Sequence, residues 1–391
     1  MNEQRVIITR IEDRIVSAYM IGETIYDLLS AADKEDDVRV GDIYVGRVQN
    51  VVDNIKAAFV EIGNGNVGYL PLREEQKKTI KAEQEIIVQV KKPAKGSKDA
   101  VLTTDIELLG RYVFLKKHTL KDKGHVHISK KIKDENTVKR LDDLAETMIE
   151  IGISHTLKSD SDESGVPVVT IRTNAADADE KLVKAEFDRL FDKWKSITTH
   201  GDQRTVYSRL YREPPFYIRH VNGYRSDRID RIITDQDDIY DELCEMLPEM
   251  NIEKYEDTSY PLEARYAVST TIKKSSDRLV WLKSGANLII DKTEAMTVID
   301  VNTAKAIEGK RASESTFFKI NSEAADEVAR QLRLRNLSGI ILVDFIDMKE
   351  KEHVDALISR LRDRLKDDPV KAMYIDMTAL GIVEITRAKK Y

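Results

Sequence analysis

Two apolar stretches of strand length near the C-terminus each carry an aspartate in their interior: Thr297-Val-Ile-Asp300-Val-Asn302 and Ile341-Leu-Val-Asp344-Phe-Ile-Asp347. Runs this rich in β-branched residues form strands, and the chain between them has helical periodicity, with Phe317, Ile320, Ala324, Val328 and Leu332 on one face of a helix over 313–337. Ser338-Gly339 stops that helix, and Val354, Leu357, Ile358, Leu361 and Leu365 mark another. With Asn287 to Asp291 pairing against Thr297 to Val301, the last third reads as a layered α/β domain. A carboxylate buried among such residues costs several kcal/mol unless a cation or strong donors compensate it. Alternation puts Asn302 on the face of Asp300. Two readings follow: a hard oxygen site suited to Mg²⁺, able to activate water for phosphodiester hydrolysis, or two aspartates that cap turns or pair with arginine.

The rest of the chain has a different rhythm. From Gly41 onward, short β runs (Ile43 to Val45, Ala57 to Val60, Gly68 to Leu70, Ile86 to Val88) are separated by Gly and Asn, a spacing that suits a small barrel. Gly63-Asn-Gly65-Asn-Val-Gly68 matches a dinucleotide-binding fingerprint, but Tyr69-Leu-Pro71 continues as a strand where a helix should open, so these are hairpin glycines. Residues 107–204 mix strands with a helix near 179–197, striped by Leu182, Phe187, Leu190, Phe191 and Trp194. Strands are expected at Arg5 to Arg10, Ile15 to Tyr19, Phe216 to Arg219 and Arg228 to Ile233.

A chain of 391 residues accommodates roughly two to four domains. No stretch approaches the ~18 apolar residues of a membrane span, and the N-terminus lacks a signal-peptide core, so the expected compartment is the cytoplasm. Cys244, the single cysteine, excludes an internal disulfide and a Cys-rich zinc site within the chain. The net charge is −6, yet Lys91 to Lys133 holds twelve Lys/Arg against four Asp/Glu, a local field able to attract phosphate or simply a solvated face. His118, His125 and His127 lie in this lysine-rich stretch without acids or cysteines at ligand spacing and read as surface histidines.

Three strings resemble the ribonuclease E/G family: Trp281 to Gly285, Asp291 to Thr303, and Asn321 to Arg335 followed by Ile341 to Met348. The resemblance spans almost the whole chain. It implies a multidomain α+β and α/β protein of four units. These are an RNase H-like subdomain from residues 1–36 and 206–275, an S1-type (OB-fold) RNA-binding barrel over 37–106, a 5′-sensor over 107–205, and a DNase I-like catalytic domain over 276–391.

By position, the resemblance makes Asp300 and Asp344 ligands of Mg²⁺, which Mn²⁺ could replace, with Asn302 holding one carboxylate. It makes Phe59, Tyr69 and Lys98 contacts for single-stranded RNA, and Gly110, Phe114, Arg172, Thr173 and Lys371 the pocket for a 5′-monophosphate. A stacking ring suits single strands because every base has a π-face, although Phe59 taken alone reads more readily as a barrel-core residue. Phe114 replaces a smaller aliphatic residue of the family, Lys371 replaces an arginine, and Thr378 to Thr386 lacks the usual Arg-Phe before Gly381. These departures imply weaker 5′-end selection, since an ammonium cannot reproduce a guanidinium fork. No Cys-x-x-Cys follows, so no structural zinc is expected, and any homo-oligomer would form without a zinc link. The implied activity is cleavage of single-stranded, A/U-rich RNA in processing or decay. The rival is a non-catalytic RNA-binding paralogue, which the joint presence of Asp300, Asn302 and Asp344 disfavours.

Overall fold

The computed structural model describes residues 3–32, 38–94, 98–118, 125–156, 166–224, 228–307 and 313–389. The protein is a mixed α+β chain that divides into two compact units, one from Met1–Asp33, Phe216–Tyr224 and Arg228–Tyr391, the other from Lys34–Pro215 and Arg225–Asp227.

The first unit contains two sheets. In one, the N-terminal strands Gln4–Ile11, Arg14–Ile21 and Thr24–Ala32 form an antiparallel meander, and Arg231–Thr234 and Ile252–Lys254 add in parallel beside Gln4–Ile11. Both faces are covered. Val6 and Ile8 pack with Ile218, Val221 and Leu243, while Ile7 packs with Ile233, Leu262 and Leu334. Double coverage explains why Val6-Ile7-Ile8 is an unbroken apolar run rather than an alternating one.

Phe216 to Arg219, expected as a strand, is instead the start of a helix, Phe216–Asn222. Aromatic and β-branched residues favour strands locally, but Pro214-Pro215 precedes the helix, and Tyr217, Ile218 and Val221 fall on one helical stripe that the sheet buries. Tertiary burial outweighs the local preference here.

The second sheet carries the two aspartates. Its strand order is Leu279–Trp281, Asn287–Lys292, Met296–Asn302, Gly339–Asp344, Val383–Arg387 and Ala372–Met377. Only the central pair, Met296–Asn302 with Gly339–Asp344, runs parallel, because the long helix Glu314–Leu334 makes the crossover between them. Ser313 caps that helix by accepting from Thr316 N at 3.3 Å. The helix and its successor, Lys351–Lys366, cover one face through Ile320, Ala324, Val328, Leu332, Leu357 and Leu361, against Leu288, Ile299, Val301, Ile341, Val343 and Val383.

The second unit contains a closed five-stranded barrel of the S1/OB kind. Ile43–Val52, Ala57–Glu61, Val67–Pro71, Ala100–Thr103 and Glu85–Lys92 pair in that order, and Ile43–Val52 closes against Glu85–Lys92. The expected hairpin glycines lie at its turn, with Gly63 and Gly65 at φ of 105° and 74°. The same unit contains a four-stranded sheet, ordered Val126–Ile128, Pro167–Ile171, Val113–Lys117 and Glu107–Leu109. Helices Glu135–Thr156 and Glu180–His200 supply Leu141, Ala145 and Met148, and Phe187, Leu190 and Trp194, to its core. Among the described residues no helix is long and apolar enough to cross a membrane.

Candidate active site

Parallel pairing puts Asp300 directly opposite Asp344. Ile299, Val301, Ile341 and Val343 point into the helix-covered core, so alternation sends both carboxylates to the other face of the sheet. No helix covers that face among the residues of this unit's core: Asp344 is exposed, Asp300 is half-buried, and Val298 and Ile340 on the same strands are exposed. The sequence argument that these aspartates are buried is therefore corrected. They sit in apolar strands because one side of the sheet is core, and they themselves occupy the open side.

Asn302 Nδ2 donates to Asp300 Oδ2 at 2.7 Å, which fixes that carboxylate's orientation. Partial desolvation first, then the negative charges of Asp300 and Asp347, push the Asp344 pKa above the ordinary aspartate value, and no cationic group contributes. Among the described residues, no arginine pairs with Asp344. Among the described residues no set of three or more His, Cys, Asp or Glu side chains converges as a metal-ligand group. A neighbouring pair of carboxylates with mutual repulsion still fits Mg²⁺, which keeps much of its water and takes one or two carboxylates plus substrate phosphate.

The loops beside the aspartates are fastened by the long crossover helix. Asn321, fully buried, donates from Nδ2 to the Ile346 carbonyl at 2.7 Å and accepts from Ile346 N at 3.0 Å. Glu314 Oε1 accepts from Lys349 N at 2.7 Å and Glu350 N at 3.0 Å, and Glu323 Oε1 accepts from Lys283 N at 2.6 Å. Sequence reasoning named none of these as site residues. The signal was available: Asn321 is a polar residue at a position where the helix's apolar stripe meets the core.

In the barrel, Phe59 and Tyr69 pair directly across adjacent strands, with ring centroids 6.1 Å apart and planes at 70°. Their neighbours Ala58, Val60 and Leu70 fill the barrel core, whereas both rings are only half-buried. Phe59 is thus half-buried and outside the cluster that forms the barrel core. Lys98 is exposed on the segment leading into Ala100–Thr103, whose Val101 pairs with Tyr69.

Gly110, Phe114, Arg172 and Thr173 share the four-stranded-sheet region. An Arg172 guanidinium nitrogen donates to the Gly110 carbonyl, Thr173 Oγ1 lies 2.8 Å from Ser129 Oγ, and Phe114 is half-buried opposite Thr170 and Leu109. At Gly110 a Cβ would meet Glu186, whose Oε2 would lie 2.5 Å from it. The Glu186 carboxylate accepts from Arg111, Tyr112 and Val113 N at 2.7, 2.6 and 2.9 Å, so it pins the turn at Gly110. Lys371 belongs to the first unit, where its carbonyl accepts from Ala388 N at 2.8 Å.

Comparison with known proteins adds an independent line. The description of the Ribonuclease E/G family matches residues 107–390. Ribonuclease G of Haemophilus influenzae is 33% identical over 374 residues, covering 90% of this chain and 72% of that protein. Ribonuclease G of Escherichia coli K12 is 34% identical over 375 residues, 90% of this chain and 73% of that protein. Ribonuclease E of the same strain is 27% identical over 400 residues, which is 97% of this chain but 36% of that protein.

Proposed function

The chain belongs to the ribonuclease E/G family, and from that premise we propose that it is a Mg²⁺-dependent endoribonuclease of RNA processing or decay that cuts single-stranded RNA. The observation that carries this reading is the pair Asp300 and Asp344, in register on the open face of the sheet with Asn302 bonded to one of them. When bound there, Mg²⁺ would lower the pKa of a coordinated water and offset charge on the phosphodiester.

The chain's own residues do the rest. Asp300 and Asp344 supply anionic oxygens, and Asn302 keeps the Asp300 carboxylate in one rotamer. Asn321 holds the backbone just beyond Asp344, which limits how far Asp347 can drift from the pair. A water oxygen bonds to phosphorus as the P–O3′ bond breaks, leaving 5′-phosphate and 3′-hydroxyl ends.

Phe59 and Tyr69 would stack unpaired bases, and exposed lysines such as Lys91, Lys92 and Lys98 would attract the backbone. Arg172 and Thr173 are proposed contacts for a 5′-terminal phosphate. Mixing the protein with a short A/U-rich single strand, with and without Mg²⁺, tests the proposal. Metal-dependent internal cleavage supports it, whereas tight binding without cleavage identifies an RNA-binding paralogue instead.

A further inference from the structure

Trp281 is 54% exposed, an unusual state for the side chain with the largest apolar area to hide. It stands on the same open sheet face as the two aspartates. Trp281 pairs with Asn287, and Asn287 pairs with Asn302, so the three form one row across three strands. Directly paired antiparallel residues share a face, which puts the indole about 10 Å, two strand spacings, from Asn302. The next row is Leu279, Ile289, Asp300 and Asp344.

The turn after Trp281 closes with Gly285 N donating to the Leu282 carbonyl at 3.0 Å, and Lys305 N donates to the Gly285 carbonyl at 3.1 Å. That second bond brings the segment following Asn302 back over the hairpin, and the Lys305 ammonium stands 6.0 Å from the Trp281 ring centroid. On the strand between the indole and Asn302, Asn287 Oδ1 is buried and has no hydrogen-bond partner among the described residues.

We propose that Trp281 is a positioning residue that stacks a base of the substrate strand beside the cleavage site, with Lys305 taking the adjoining phosphate. The inference rests on the reading of Asp300 and Asp344 as that site. Three features favour RNA over a second protein surface. A cation stands over one face of the ring, an acceptor without a partner among the described residues lies next to it, and a carboxylate pair suited to a phosphate-bound cation stands in the adjacent row. A flat ring with a cation beside it matches a base with its phosphate. Asn287 Oδ1 would accept from an exocyclic amine or a 2′-hydroxyl.

The chain has two tryptophans, and the other, Trp194, is 1% exposed, so the indole that solvent and RNA can reach is Trp281. The test uses the full chain carrying Asp344→Asn, titrated with an end-labelled A/U-rich single strand while tryptophan emission and label anisotropy are read together. Binding should quench the emission, and a strand with an abasic site at the stacked nucleotide should bind without quenching. Trp281→Ala should weaken binding about 5- to 150-fold, while Trp281→Phe, which keeps a ring, recovers most of the loss.

In protein with Asp344 intact, Trp281→Ala should raise KM more than it lowers kcat. RNA that binds with no change in emission, or equal affinity for Trp281→Ala, overturns the platform. Emission that shifts with protein concentration alone shows a second copy covering the ring, and also overturns it. Failure of the nuclease reading looks different: the Asp344→Asn protein would still cut, or RNA would not bind at all.

Discussion

Replacing Asn321 with alanine isolates the role of the crossover helix. The side chain is fully buried and makes two bonds to one residue, donating to the Ile346 carbonyl at 2.7 Å and accepting from Ile346 N at 3.0 Å. Truncation leaves both backbone groups without a partner. A buried polar group stripped of its bond costs about 1–3 kcal/mol. Ile346 is half-buried, so water reaches part of the vacated space and the low end of that range applies to each group. Alanine recovers about half a kcal/mol of helix propensity. The expected net loss is about 1.5 kcal/mol by urea unfolding.

Cleavage should suffer more than stability suggests. Ile346 lies between Asp344 and Asp347, and a shift of about 1 Å in a positioned catalytic group can cost about 100-fold in rate. Loss should therefore appear mainly in kcat, with RNA affinity kept, because the barrel rings lie in the other unit. A variant that loses less than about half a kcal/mol and cuts within about threefold of the unaltered chain would show that the helix is scaffold only.

Two further outcomes follow from the same geometry. Phe59→Ala with Tyr69→Ala should weaken single-stranded RNA binding by about 1–3 kcal/mol per lost stacking contact and leave duplex binding nearly unchanged, because duplex bases are already stacked; equal losses on both substrates in a filter-binding or anisotropy titration would refute the platform. Oligonucleotides differing only in a 5′-monophosphate or 5′-hydroxyl should be cleaved at rates within about tenfold of each other. Arg172 already gives a donor to the Gly110 carbonyl, which leaves less of its guanidinium for a terminal phosphate. A larger monophosphate preference that vanishes in Arg172→Ala would contradict this.

Much of the site-bearing sheet was legible because its signals are local and agree with each other. The apolar runs around Asp300 and Asp344, the stop at Ser338-Gly339 and the stripe from Phe317 to Leu332 all specify strand, helix, strand in parallel connection. The barrel was legible for a similar reason, since Gly63 and Gly65 can adopt positive φ without strain and mark the hairpin. What periodicity could not show was which face of the sheet lacks a cover. An aspartate between Ile299 and Val301 reads as buried until the helices are seen to pack on one side only.

The helix at Phe216–Asn222 was misread because seven residues give too little periodicity to outweigh their β-forming composition. The helix Glu135–Thr156 was not anticipated, although Leu141, Leu144, Ala145, Met148 and Ile149 recur at helical spacing and supply its buried face. Glu186 was invisible for another reason. Its partners Arg111, Tyr112 and Val113 lie more than seventy residues away, and nothing in local spacing announces a carboxylate that caps a distant turn.

The central claim is that Asp300 and Asp344 perform cleavage, and single-turnover kinetics tests it directly. Each Asp→Asn variant is mixed in excess over a labelled A/U-rich single strand in Mg²⁺, with binding measured in parallel by anisotropy. Amide replacement removes one ligand charge and keeps side-chain size, so the cleavage rate should fall at least about 100-fold while RNA affinity stays within a few-fold. Removing divalent metal from the unaltered protein should stop cleavage, and restoring Mg²⁺ or Mn²⁺ should recover it. Near-normal cleavage by either variant in Mg²⁺ would contradict the account.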